Sequence, residues 1–443
     1  MLLLTLLATF AQATFVTEPY LQLGPHPAPG RLSIVWHAPD TAATWTLEHQ
    51  SAGGAWRAAQ SLDNRRVVLR GTPPFRLFEA HLDQLSPGSE FDYRVLRNGT
   101  PVFTARGKAI APPEAAAARF AVVGDPGAGS AGQRQVAYQL HRTQPDAVIV
   151  PGDIVYPNGR LKHYFSKWFP IFNSPQASPN TGAPIFRSRI SAASPGNHDF
   201  EECANLSQPD CLAYFHVWSP PLNGPTNNVV ALEGPSADRQ AFTDLAGARF
   251  PRAANYSFDF GPVHWTILDS NHVMDWTRPD LRQWLENDLA QARTPWKFVV
   301  FHHAPFHSSS KHAEHQRLRV LAPIFEAQGV AIVFSGHVHN YQRTHPIRFA
   351  ADPYPTPLGA QQRLPGQAIR DPRGVIYVLT GAGGAGLVDG SQTARPDTWL
   401  PFTARFEARQ HSFTQVDADA QKLRIRQIGA NGRELDFFEI SRE

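Results

Sequence analysis

The chain has 443 residues, 42% of them hydrophobic, enough to bury a core and to make two or three domains of ordinary size. No apolar run reaches membrane-span length, and 18% charged residues with a net charge of +3 argue against a charge-driven disordered chain and against a dedicated nucleic-acid binder. Nineteen histidines against two cysteines direct attention to imidazole and carboxylate chemistry rather than thiolate chemistry.

In chain order, the first element is an apolar run, Leu2 to Phe10, followed by Ala11-Gln12-Ala13. A short apolar core ending in a small-x-small site reads as a secretory signal peptide over residues 1–13, although no Lys or Arg precedes it. The expected location is therefore secreted or periplasmic. In an exported chain Cys203 and Cys211, which share one loop, are expected to form a local disulfide.

Residues 14–110 read as β-structure. Leu32, Ile34 and Trp36 alternate, as do Phe91, Tyr93 and Val95, and Asn98-Gly99 between two strand-like runs signals a hairpin. The segment Leu85 to Phe91 resembles the corner of fibronectin type III sandwiches, with Phe91 where that family usually has tyrosine. An alanine- and proline-rich stretch, 111–118, reads as a linker. From Arg119 to the end, short apolar runs (Phe120–Val123, Ala147–Val150, Val263–Leu268, Phe298–Phe301, Ala331–Phe334) alternate with helical stretches (Gln133–Arg142, Pro279–Ala292, His315–Ala327). This predicts an α/β domain with interior strands, and a tail from Ser412 to Ile440 that returns to strands around Asn431-Gly432.

Polar motifs follow the predicted strand ends, where open α/β sheets place their sites. They are Gly124-Asp125-Pro-Gly127, Gly152-Asp153-Ile-Val-Tyr156, Gly196-Asn197-His198-Asp199, Val300-Phe-His-His303 and Gly336-His337-Val-His339. Their donors, Asp125, Asp153, Tyr156, Asn197, His303, His337 and His339, exceed what one ion accepts. They suit two hard or borderline ions sharing a carboxylate. Any one of these motifs alone more often marks a turn or a cap than a site; it is their conjunction, in order, that carries the reading.

The five motifs resemble those of the metallophosphoesterase superfamily, and specifically of purple acid phosphatases. The tail His339-Asn-Tyr-Gln-Arg343 fits as well. The resemblance implies two mixed sheets flanked by helices behind a fibronectin-like β-sandwich, and hydrolysis of phosphate monoesters by a metal-activated hydroxide. It implies that Asp125, Tyr156 and His339 hold ferric iron, and that Asp153 bridges. Asn197, His303 and His337 then hold a divalent ion: iron, zinc or manganese. His302 competes with His303; the Ala-Pro that follows favours His303, with His302 turned away. His198 is expected near the leaving group and His312 at the phosphate, with His307 and His315 as rivals. Asp199 either orients His198 or caps a turn. The expected partner is a small phosphate ester, not a nucleic acid, and the oligomeric state is left open. The alternatives are a phosphodiesterase or nucleotide hydrolase of the same superfamily, or a secreted binding protein with a vestigial site.

Overall fold

The computed structural model describes residues 13–69, 72–200, 213–226, 235–351 and 366–442. The apolar leader up to Gln12 and the pair Cys203 and Cys211 lie outside the described residues.

Two large sheets organise the chain. The first has ten strands: Glu434–Ser441, Lys422–Gly429, Ser412–Asp419, Ala117–Val122, Ala147–Pro151, Ile190–Ser194, Thr17–Gln22, Leu32–Pro39, Thr72–Leu82 and Ser61–Leu69, in spatial order. The second has seven: Tyr256–Phe260, Val263–Ile267, Trp296–His303, Ile332–Gly336, Ile376–Thr380, Tyr341–Thr344 and Thr403–Glu407. The central strands of both run parallel, with antiparallel strands at the margins. Their near-continuous burial explains why they read as unbroken apolar runs rather than as alternating ones. Helices Ala131–Arg142 and Pro279–Gln291 flank the sheets. This is the expected metallophosphoesterase architecture of mixed sheets flanked by helices.

The N-terminal β-domain is a sandwich. A four-stranded sheet, Arg57–Ala58, Trp45–Ser51, Glu90–Arg97 and Thr100–Lys108, packs on Thr17–Gln22, Leu32–Pro39 and their neighbours. Trp36 stacks on Phe78 with ring centroids 5.2 Å apart, and Trp45 lies 5.6 Å from the same ring. The Asn98-Gly99 turn closes the expected hairpin with both residues at positive φ, 51° and 78°. The sandwich is not simply strung in front of the second domain. Gln22 pairs with Ser191 in parallel, which makes one sheet continuous across both. The expected linker is packed at either end: Ala109, Ile110 and Ala111 are buried, and Ala118 already lies in the strand Ala117–Val122.

Two helices differ from expectation for local reasons. Helix Ala131–Arg142 starts two residues before Gln133. The Ser130 hydroxyl accepts the Gln133 N–H at 3.0 Å, while Gln133 Oε1 accepts the Gly129 N–H at 2.6 Å. The first bond satisfies one open N–H of the first turn, and the second fixes the chain as it enters the helix. The helix expected over His315–Ala327 is instead a 3-10 turn, Arg317–Leu321, followed by helix Ala322–Ala327. Pro323 has no N–H to give and crowds the carbonyl four residues back, so the helix restarts around it.

Candidate metal centre

The two sheets deliver different chemistry to one place. Loops after Ala117–Val122, Ala147–Pro151 and Ile190–Ser194 carry Asp125, Asp153, Tyr156, Asn197 and His198. The ends of Trp296–His303 and Ile332–Gly336 in the other sheet carry His302, His303, His337 and His339. Asp125, Asp153 and His337 sit at positive φ, 57°, 50° and 74°, a conformation non-glycine residues seldom adopt and that clusters at functional sites. Glycine is required beside them. A Cβ on Gly196 would stand 2.2 Å from Asp153 Oδ1, and one on Gly336 would stand 2.4 Å from Asp125 Oδ2.

One donor group centres on Tyr156. Its hydroxyl oxygen lies 2.9 Å from Asp125 Oδ1, 2.9 Å from Asp153 Oδ2 and 3.0 Å from His339 Nε2. The donor atoms of Asp125, Asp153 and His339 fall within 4.8 Å of one another. A second group shares Asp153. It brings together Asp153, His302 and His337 within the same limit, and Asn197 Oδ1 lies 3.1 Å from His302 Nε2 and 3.0 Å from His337 Nδ1.

In this geometry His302 joins Asp153 and His337, while His303 groups with His315 and His337. His302 Nδ1–H donates to the Pro151 carbonyl at 2.9 Å, which leaves Nε2 free, 3.2 Å from Asp153 Oδ1. His303 is engaged elsewhere. Ser270 Oγ accepts the backbone N–H groups of His302 and His303 at 3.2 and 3.0 Å. The same Ser270 Oγ lies 2.8 Å from His303 Nδ1 and holds that ring in place. His303 remains a neighbour, its ring centroid 4.4 Å from that of His337. Ser270 escaped the sequence reading, although its place just beyond the strand Val263–Ile267 was a usable signal.

The remaining histidines take separate positions. His198 Nδ1–H donates to the Pro157 carbonyl at 2.6 Å. Its Nε2 stands 3.9 Å from Asp153 Oδ2 and its ring 4.5 Å from that of Tyr156. His312, at φ 62°, lays its ring 4.1 Å from that of His337. His315 Nδ1 meets His337 Nε2 at 2.6 Å. His307 is buried and hydrogen-bonded to the His312 backbone. Asp199 accepts N–H groups from Ile154 at 3.1 Å and Gly196 at 2.8 Å, so it ties two motif loops together rather than orienting His198.

The electrostatics complement a cation. Burial, reinforced by Asp153, pushes the Asp125 carboxyl well above the usual range against the pull of His302. Burial and then the two carboxylates push the Tyr156 phenol up. Burial drives His337 and His339 down, toward the neutral form that ligates. Burial also opposes charge on His302, but Asp153 and Asp125 outweigh it and raise its pKa to about 9. The two carboxylates thus call for positive charge beside His302, which a bound cation would supply with the imidazole neutral. Oxygen donors and neutral imidazoles in two groups joined by Asp153 fit a pair of hard or borderline ions.

Comparison with known proteins agrees with this geometry. The chain matches the Calcineurin-like phosphoesterase family over residues 118–341, just over half of its length. It is 33% identical to purple acid phosphatase 18 of Arabidopsis thaliana over 29% of this chain and 26% of that protein. It is 25% identical to purple acid phosphatase 21 of the same plant over 70% of this chain and 58% of that one. The chain thus spans less than two thirds of either relative. Among solved structures, purple acid phosphatase PPD1 from yellow lupin seeds superposes with a TM-score of 0.68 at 18% identity. That match covers 96% of this chain and 74% of that one, and it shows a shared fold.

Proposed function

The chain belongs to the calcineurin-like phosphoesterase family, and from that premise we propose that it is an exported, purple acid phosphatase-like hydrolase of phosphate monoesters. The observation that carries the reading is the Tyr156 hydroxyl, within 3.0 Å of Asp125, Asp153 and His339. A phenol among these donors suits ferric iron, a hard ion matched by an anionic oxygen. In this reading Asp125, Tyr156 and His339 hold the iron, Asp153 bridges, and Asn197, His302 and His337 hold a divalent ion, iron, zinc or manganese. When bound, the pair supplies Lewis acidity that acidifies water and clamps the phosphoryl oxygens. The chain's own residues do the rest. His198, with Nδ1–H tied to the Pro157 carbonyl, is set to hold a proton at Nε2 for the leaving oxygen. His312, beside the His337 ring, binds the phosphate. The apolar leader and Ala11-Gln12-Ala13 support export. Among the described residues no helix is long and apolar enough to cross a membrane.

Steady-state kinetics on p-nitrophenyl phosphate and bis(p-nitrophenyl) phosphate test the reaction class. The monoester is expected to show the higher kcat/KM. Preference for the diester would move the enzyme to the phosphodiesterases of the same family. Inactivity on both, in metal-loaded protein, would contradict the reading.

A further inference from the structure

The three imidazoles of the donor groups differ in what holds their outer nitrogens. His302 Nδ1–H donates to the Pro151 carbonyl at 2.9 Å, and His339 Nδ1–H to the Gly386 carbonyl at 2.8 Å. Both are fixed by backbone. His337 is held by side chains. Its Nδ1 faces Asn197 Oδ1 at 3.0 Å, inside the donor group, while its Nε2 lies 2.6 Å from His315 Nδ1. The two rings stack at 21° with centroids 4.8 Å apart. His315 Nε2 in turn lies 3.2 Å from Glu314 Oε1. A turn sets this up: the His315 N–H donates to the His312 carbonyl at 3.0 Å, and His312 is left-handed.

The proton count gives the chain one direction. An imidazole that ligates through Nδ1 carries its proton on Nε2, and that proton goes to His315 Nδ1. The His315 proton then sits on Nε2 and goes to the Glu314 carboxylate. We propose that Glu314 and His315 form a relay that orients His337 toward the second ion. They are positioning residues, not substrate contacts, because both His315 ring nitrogens are engaged. Outer partners of this kind fix ring orientation and tautomer, and their loss typically costs about 10- to 100-fold in metal affinity. The inference rests on the two-ion reading above and adds to it a side-chain support for one ligand.

The test uses full-length protein loaded with iron and zinc. Zinc retention is measured against a competing chelator, alongside the visible spectrum and kinetics on p-nitrophenyl phosphate. His315→Ala is expected to weaken zinc retention by about 10-fold or more. The Tyr156-dependent spectrum should be unchanged, and KM near wild type once zinc is saturating. Glu314→Gln should weaken zinc in the same direction by less. His315→Asn, whose amide oxygen can accept the His337 Nε2–H, should restore most of the loss. Wild-type zinc retention in His315→Ala with a raised KM would overturn the relay and put His315 on the phosphate. A wild type that holds neither ion would overturn the two-ion reading and the relay with it. A wild type that holds both, with an unaltered His315→Ala, would overturn the relay alone.

Discussion

Replacing Tyr156 by phenylalanine removes one oxygen and keeps the ring packed 4.5 Å from His198. If the phenol binds ferric iron, wild type should show a broad visible band that Tyr156→Phe lacks, with turnover reduced less than by Asp153→Ala, because tyrosine serves one ion and Asp153 two. A colourless, active wild type with full iron occupancy would remove Tyr156 from the donor set. At the same scale, His302→Ala should empty the divalent position, while His303→Ala should leave it mostly filled; elemental analysis of the two variants checks this. The sequence made the types and order of the donors legible, because the strand-end glycines and the Asp, Asn and His beside them are local features. Between His302 and His303 it offered only the following Ala-Pro, which favours His303. The choice between them depends on Ser270, which comes from a different strand end, and on a register shift between Val300 and His303 in the pairing with the neighbouring strand.

Among the elements, helix Pro279–Gln291 was legible from its opening proline and from Leu281, Leu285 and Leu289, which are fully buried. Leu285→Ala should cost about 2–4 kcal/mol by cavity formation, measured by urea unfolding. The same helix is held to its sheet by a polar contact that no period in the sequence announces. His264 Nδ1 lies 2.7 Å from Asp259 and Nε2 lies 3.2 Å from Asp288 on the helix. Burial opposes the charge, but the two carboxylates prevail and raise the pKa to about 9. A folded value above the unfolded one stabilises fully below the unfolded pKa of about 6.5 and fades as pH rises through about 9. The difference corresponds to about 3 kcal/mol. Stability measured at pH 6 and pH 10 should therefore fall more in wild type than in His264→Gln. Equal slopes would contradict the account. The segment 315–327 shows the limit of periodicity: its apolar spacing was helical, but Pro323 broke the hydrogen-bond ladder that spacing implied.

In the whole molecule, the change of pattern at the alanine-rich stretch is local, whereas the continuity of one sheet across it was not legible, since strand pairing across 169 positions leaves no local trace. Tyr93 Oη donates to the Arg187 carbonyl at 2.9 Å and Tyr20 Oη to the Val217 carbonyl at 2.7 Å, adding ties across the seam. One apolar cluster runs from Trp36 and Phe78 through Phe120 to Trp265 and Phe334. The molecule should therefore unfold in a single calorimetric transition rather than two. The shared sheet and core also give the loops of Asp125, Asp153 and Asn197 a rigid base against the histidine-bearing strand ends. The central claim is that these loops close around a pair of ions joined by Asp153. The direct measurement is elemental analysis of purified wild type and Asp153→Ala. The account predicts about two ions per chain in wild type, at least one of them iron, and a loss from both positions in the variant. One ion or none in active wild type, or two ions retained without Asp153, would contradict it.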